Sequence, residues 1–324
     1  MRSKKSKRQR AQELFDLHKH LLACPRCQLS FDQADSRLLC KNGHSFDMAK
    51  KGYLNLLAGH PKETYTREMF LARRHIIFEG YFDPLLTEIK YVIANSKITS
   101  IEKNISCAQE GPIFKPHGYI LDAGCGEGTL LEKILEDQLM SNFMPAGIDI
   151  AKEAIYLAAR DYPGRLWMVG DVANPPLAPG QFSILLNILT PANYKAFKRI
   201  LECGGMLVKV FPGDFHLREL KTFLVQKSTG SEKNQGGAKA ENNSKAEGVE
   251  KIFADRFKQF MKKRITYQYQ CSGLALKKLL KMSPITWSIQ PPGEESRLDL
   301  VIQEVEALDK KTITFDFQLL CGRK

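Results

Sequence analysis

A chain of 324 residues is long enough for one large domain and a small module, and its 43% hydrophobic content fits a soluble globular protein. No apolar run approaches the length of a membrane span, and the basic N-terminus lacks the apolar core of a signal peptide, so neither a membrane protein nor a secreted one is expected. The net charge is +12, and residues 1–60 alone hold twelve Lys/Arg against five Asp/Glu. A basic appendage of this kind suits a polyanionic partner, with a solubilising tail as the alternative for residues 2–10. Of eight cysteines, three fall within residues 24–40 and five are scattered. That usage points to a reducing, cytoplasmic compartment and a metal site instead of a disulfide framework.

Residues 1–20 read as a basic, mobile arm running into a short helix. Residues 21–60 then form a small module. Cys24-Pro-Arg-Cys27 is followed after twelve residues by Cys40, and after three more by His44. Each short pair fits one knuckle, with two ligands facing one ion and backbone amides aimed at the sulfurs. The intervening twelve residues suffice for a hairpin that returns the second pair. Four N/S ligands with no spare position make a closed tetrahedral zinc site, structural and not catalytic. The run that follows, from Phe46 to Leu57, is not a general feature of zinc modules. Residues 61–118 are expected to be helical over 62–95 and a linker over 96–118.

The cofactor motif begins at residue 119, where the large domain, 119–324, is expected to start. Tyr-Ile-Leu-Asp-Ala-Gly-Cys-Gly-Glu-Gly, residues 119–128, is a short apolar run ending in Asp122, with glycines at 124, 126 and 128. A helix with Leu130, Leu131, Ile134 and Leu135 on one face follows. This is the first strand, turn and helix of a doubly wound α/β sheet. Residue 129 is threonine, so G-x-G-x-x-G fails, and no phosphate-cradling lysine makes a P-loop. Asp-x-Gly-x-Gly-x-Gly is instead the S-adenosylmethionine turn of class I methyltransferases. Asp149 closes the next strand, where a carboxylate can accept both ribose hydroxyls. Asp171 follows the third strand, Leu166–Val169, where a side chain can reach the adenine amine.

An apolar strand over Phe182–Leu189 leads into Thr190-Pro191-Ala192-Asn193. A strand over Met206–Phe211 ends at Pro212-Gly213, read as opening another helix. Ligands in open α/β sheets sit beyond the carboxyl ends of the strands, so Asp122, Asp149, Asp171, Thr190 and His216 should converge on one rim. Asn174-Pro175-Pro176 falls after the third strand and lacks the following aromatic of amino-group methyltransferases, so it reads as a loop. Residues 228–250 lack aromatics and are rich in Ser, Gly, Asn, Lys and Glu, the composition of a disordered insertion. Strand-like 264–270, a helix near 274–282 and strand-like 312–320 should close the sheet with an antiparallel hairpin.

The Cys-x2-Cys-x12-Cys-x3-His set and the 46–57 run resemble the family of 23S rRNA (guanine-N1) methyltransferases, which join a zinc module to a class I methyltransferase domain. Further matches are Ala72-Arg73-Arg74, Gly80–Leu85, the 122–128 turn, Pro212-Gly213 with His216-Leu217 and Glu219-Leu220, and Leu279–Trp287. The resemblance runs from residue 22 to nearly the end of the chain. It implies methyl transfer from S-adenosylmethionine to N1 of a guanine in a 23S rRNA hairpin. It also implies cofactor contacts at Phe82, where some members carry tyrosine, at Gly124, Gly126 and Glu127 of the turn, and at His216. Thr190, Pro191 and Asn193 are candidates for holding the base, and no general base is assigned. Another RNA such as tRNA, or a non-catalytic RNA-binding protein on the same fold, stays open, as does a homodimer.

Overall fold

The computed structural model describes residues 5–34, 37–57, 59, 65–95, 118–229, 237–283, 295–307 and 310–324. Helix α1 (Lys7–Leu17) begins in a capping box: the Ser6 hydroxyl accepts from the Gln9 N–H at 3.2 Å, and the Gln9 side chain accepts from the Ser6 N–H at 2.9 Å. Ala11 and Phe15, one turn apart, face inward, leaving Lys7 and Arg10 exposed. Strands β1 (Phe31–Ala34), β2 (Arg37–Cys40) and β3 (Ser45–Asp47) form a small antiparallel sheet around the cysteine pairs.

The 46–57 run then fuses this module to the main sheet. Its strand β4 (Leu54–Asn55) pairs in parallel with β7 (Leu166–Val169), setting Leu54 opposite Met168 and Asn55 opposite Val169. The loop containing Pro175-Pro176 makes a second attachment. Leu22 bridges to Leu177, the Ala23 N–H donates to the Pro176 carbonyl at 3.0 Å, and the Ala178 N–H donates to the Leu21 carbonyl at 2.8 Å. Leu54 and Leu56, which follow the zinc ligands in the chain, are buried in the same core as Leu166 and Met168 of the main sheet.

Eight strands lie in the order β10-β11-β9-β8-β5-β6-β7-β4. They are β5 (Gly118–Ala123), β6 (Phe143–Asp149), β7, β8 (Phe182–Ile188) and β9 (Leu201–Pro212), with β10 (Phe260–Ser272) and β11 (Lys310–Arg323) as the antiparallel hairpin edge. The chain runs outward from β5 to β7, then restarts at β8 on the other side of β5, so the topological switch lies between β5 and β8. Alternating residues feed two cores. Ile120, Ile184, Leu186, Met206 and Val208 pack with α2 (Arg67–Phe78), α3 (Asp83–Asn95) and α9 (Gly273–Met282). Leu121, Phe182, Leu185 and Leu207 pack on the opposite face with α1, α6 (Tyr194–Ile200) and Phe253. This is the doubly wound α/β class expected.

Two expectations change. Helix α7 (Arg218–Thr229) starts five residues after Gly213, because Leu217 takes φ +54° and its N–H is drawn to the Thr314 carbonyl at 2.8 Å. The stretch expected to be disordered, 228–250, largely lies in α8 (Gly237–Arg256), with residues 230–236 outside the described residues. Its Ala, Lys and Glu are good helix formers, and Val249, Phe253 and, just beyond the helix, Phe257 recur at four-residue spacing on the core. The linker region 96–117, and Pro284 to Trp287 of the last motif, lie outside the described residues. Among the described residues no helix is long and apolar enough to cross a membrane.

Candidate cofactor and metal sites

The four zinc candidates meet at one point. One ligand atom from each of Cys24, Cys27, Cys40 and His44 lies within 4.8 Å of the others. Cys24 Sγ is 3.5 Å and Cys40 Sγ 3.4 Å from His44 Nδ1, and the Cys27 and Cys40 sulfurs are 3.6 Å apart. Zn–S bonds of about 2.3 Å and Zn–N bonds of about 2.0 Å give tetrahedral edges of about 3.5–3.8 Å, so the preformed cage fits zinc. Each knuckle closes on a backbone bond: the Gln28 N–H to the Cys24 carbonyl and the Gly43 N–H to the Cys40 carbonyl, both 2.8 Å. Burial raises the Cys40 thiol, but hydrogen bonds from the N–H groups of Asn42 and His44 and from the Cys27 and Cys24 side chains together outweigh it and bring the group to about 7, toward the thiolate a metal needs.

At the other site, β5 delivers Asp122 to the switch point and the chain turns through Gly126 (φ +57°) and Gly128 (φ +83°) into α4 (Thr129–Leu135). A Cβ on Gly128 would strike the Trp167 ring at 2.7 Å, whereas one on Gly126 would meet only the mobile end of Arg73, Nη1 at 2.9 Å, so Gly126 is favoured chiefly by its positive φ. Asp149, at the end of β6, organises the turn: Oδ2 accepts from the Gly126 N–H at 2.8 Å and Oδ1 from the Ala151 N–H at 2.9 Å. Each of its oxygens keeps a second acceptor site for a ribose hydroxyl.

The remaining acidic groups are buried beside the turn. Asp122 Oδ1 and both carboxylate oxygens of Glu127 are buried without a hydrogen-bond partner. Burial pushes the Asp122 carboxyl up to about 7, with Arg73 pulling against it and Asp149 and Glu127 adding to it. Desolvation raises Asp149 as well, restrained by the N–H groups of Ala151 and Gly126 and by Arg73. Orphaned buried acceptors cost about 1–3 kcal/mol each, a cost that a bound donor removes. The donor set fits S-adenosylmethionine, whose sulfonium and ammonium bring positive charge to buried carboxylates beside a glycine cradle.

Thr190 reaches this turn, since a Cβ on Gly124 would lie 2.5 Å from its side chain. The loop that carries it leaves β8 through Leu189 at φ +55°, a strained conformation for a branched side chain. Lys209 holds that shape from below. Its Nζ donates to Asn187 Oδ1 at 2.6 Å and to the Thr190 carbonyl at 2.5 Å, and Asn187 Nδ2 donates to the carbonyls of Ala123 and Pro191. Burial lowers Lys209 to about 7. Pro191 is exposed at the rim. Asn193 is engaged twice, capping α6 through the Ala196 N–H and donating to the Ala173 carbonyl at 2.7 Å.

Asp171 lies past β7 and accepts from the Ala173 N–H at 2.8 Å; it adjoins Asp149 through the Gly170 N–H, which donates to the Asp149 carbonyl. Phe82 and His216 both pack on Phe315 and Phe317. Phe82 is fully buried against Phe315 and Phe317, and the His216 ring lies 4.6 Å from that of Phe317. His216 Nδ1 accepts from the Asp316 N–H at 3.3 Å, and burial lowers the imidazole to about 3, so it is neutral near pH 7. Below it, buried Asp316 accepts from Arg264 Nε and Nη2, both at 2.8 Å, from Thr266 and from the Phe215 N–H, which pins the loop after β9 to the hairpin. Sequence reasoning gave no role to Arg73 or Lys209. A lysine inside the apolar run 206–211 was the available signal for the second.

Residues 22–64 match the family model for the N-terminal zinc ribbon of RlmA. The chain is 33% identical over 308 residues to a protein of Bacillus subtilis (strain 168) that carries the provisional name 23S rRNA (guanine-N(1)-)-methyltransferase YxjB, covering 94% of this chain and 97% of that one. It is 28% identical over 298 residues to the 23S rRNA (guanine(748)-N(1))-methyltransferase of Streptomyces fradiae, covering 91% and 95%. With the Cys3His cage and the S-adenosylmethionine turn in one body, the chain belongs to the 23S rRNA (guanine-N(1)-)-methyltransferase family.

Proposed function

We propose that this enzyme methylates N1 of a specific guanine in a hairpin of 23S rRNA, in the cytoplasm. The observation that carries the reading is the joining of a preformed zinc cage and a basic N-terminal region to the same sheet as an acidic, glycine-lined cofactor turn. When bound, S-adenosylmethionine supplies an activated methyl group on a sulfonium. The protein's work is therefore mainly alignment. Asp149 would hold the ribose, Asp171 the adenine edge, and Asp122 with Glu127 the positive end of the cofactor. The loop 190–193, held by Lys209 and Asn187, would position the base beside the glycine turn.

Guanine N1 carries a proton and no free lone pair, so that proton must pass to a base or to water. N1 also lies on the pairing edge, so the nucleotide must be unpaired or flipped to reach the rim. The test is incubation of unmodified 23S rRNA with the protein and methyl-labelled S-adenosylmethionine, followed by digestion to nucleosides. Label in N1-methylguanosine is expected. Label confined to N7-methylguanosine or to ribose, or transfer to tRNA and not to 23S rRNA, would overturn the reading.

A further inference from the structure

Helix α2 roofs the glycine turn, and its two arginines divide the work. Arg74 forms an ion pair with Asp161, lies 5.6 Å from the centre of the Tyr162 ring, and directs Nη2 to the Glu127 carbonyl at 3.5 Å. These contacts clamp α2 to the glycine turn before α4 and to the end of α5 (Lys152–Asp161). With Arg74 committed, the preceding side chain falls over the turn: Arg73 Nη1 and Phe70 Cδ1 lie 2.9 and 3.8 Å from where a Gly126 Cβ would be. Tyr65 continues the roof, its ring 6.2 Å from that of Phe70.

Arg73 makes no hydrogen bond or ion pair with the described residues, although it is partly buried and its charge is felt by both Asp122 and Asp149. A guanidinium held beside buried carboxylates, yet bonded to none of them, is placed for a different acceptor. The charges of the cofactor's methionine end complement the arrangement. Its ammonium suits the orphaned oxygens of Asp122 and Glu127, and its carboxylate needs a cation. A planar guanidinium matches a carboxylate through two parallel N–H bonds.

We propose that Arg73 binds the α-carboxylate of S-adenosylmethionine, making α2 part of the cofactor site. The assignment rests on the cofactor and not on the rRNA target. Calorimetric titration with S-adenosylmethionine and with decarboxylated S-adenosylmethionine, which lacks only that carboxylate, tests it on the full chain. The wild type should prefer the intact cofactor by at least about tenfold, the scale of a charge-assisted hydrogen bond. Arg73→Gln should lose about that factor for the intact cofactor, bind the decarboxylated form equally or more tightly, and so erase the preference. Arg73→Lys, which keeps the charge but not the fork, should retain an intermediate preference. Equal loss for both ligands would show that Arg73 only shapes the roof, and an undiminished preference in Arg73→Gln would place the carboxylate elsewhere; either overturns the assignment. Failure of the rRNA reading would appear separately, as normal binding without N1-methylguanosine.

Discussion

The position of Asp122 makes cofactor affinity depend on pH in a calculable way. Its carboxyl titrates near 7 in the ligand-free protein, because burial outweighs the attraction of Arg73. A positively charged ligand favours the carboxylate, so binding is coupled to loss of the proton and tightens as pH rises through 7. If only the ionised form binds well, the ionised fraction grows about 25-fold between pH 5.5 and 7.5, and the association constant should follow it. Staying below pH 7.5 avoids most of the titration of the ligand's own amine, expected near 8 for an α-amino group. Calorimetry at half-unit steps would give the profile, and titrations in buffers of different ionisation enthalpy would count the proton released on binding. Asp122→Asn removes the titrating group without changing side-chain volume, so its profile should be nearly flat over this range. A flat profile in the wild type, or an undiminished slope in Asp122→Asn, would refute the assignment of Asp122 to the positive end of the cofactor.

Other consequences follow from the same geometry. Purified protein should hold about one zinc per chain, and Cys40→Ser should lower zinc content and impair RNA methylation far more than cofactor binding; zinc-free protein with full activity would contradict the cage. Asp149→Ala should weaken S-adenosylmethionine binding by on the order of 1.5–3 kcal/mol, since it removes a charged acceptor that also fixes the Gly126 N–H, and unchanged affinity in a folded variant would place the ribose elsewhere. Lys209 titrates near 7 when folded against 10.5 ordinarily, so between these values the unfolded chain holds a proton the folded protein has lost. Stability should therefore rise with pH over that window, by up to about 1.4 kcal/mol per unit, relative to Lys209→Met measured by urea unfolding at pH 7 and 9. An unchanged difference between the two proteins would show that Lys209 stays protonated.

Local patterns were legible where chemistry demands a fixed spacing. Cys24, Cys27, Cys40 and His44 could be grouped from sequence because each knuckle needs a short, closed pair of ligands. Asp122 and the glycines after it were legible because a strand must end, turn tightly and become a helix within a few residues. Long-range attachments were not. Nothing in Leu54-Asn55 or in Pro175–Leu177 announces that they join the zinc module to the sheet, since two-residue pairings carry no periodicity. Composition misled over 228–250, where Val249 and Phe253 supply the apolar anchors for a helix that begins in polar sequence. Arg73 could be seen as part of a motif, but its place over Gly126 depends on Arg74 finding Asp161, 87 residues away.

The central claim is methylation at guanine N1, and primer extension reads that atom most directly. A methyl there occupies a Watson–Crick donor position, so reverse transcriptase should stall one nucleotide before it. Unmodified 23S rRNA treated with this protein and S-adenosylmethionine should gain one strong stop at a hairpin guanine. The stop should be absent without cofactor and with Gly126→Arg, which fills the space between the turn and Arg73. Methyl transfer to the same rRNA with no new stop would place the methyl off the pairing edge and contradict the account.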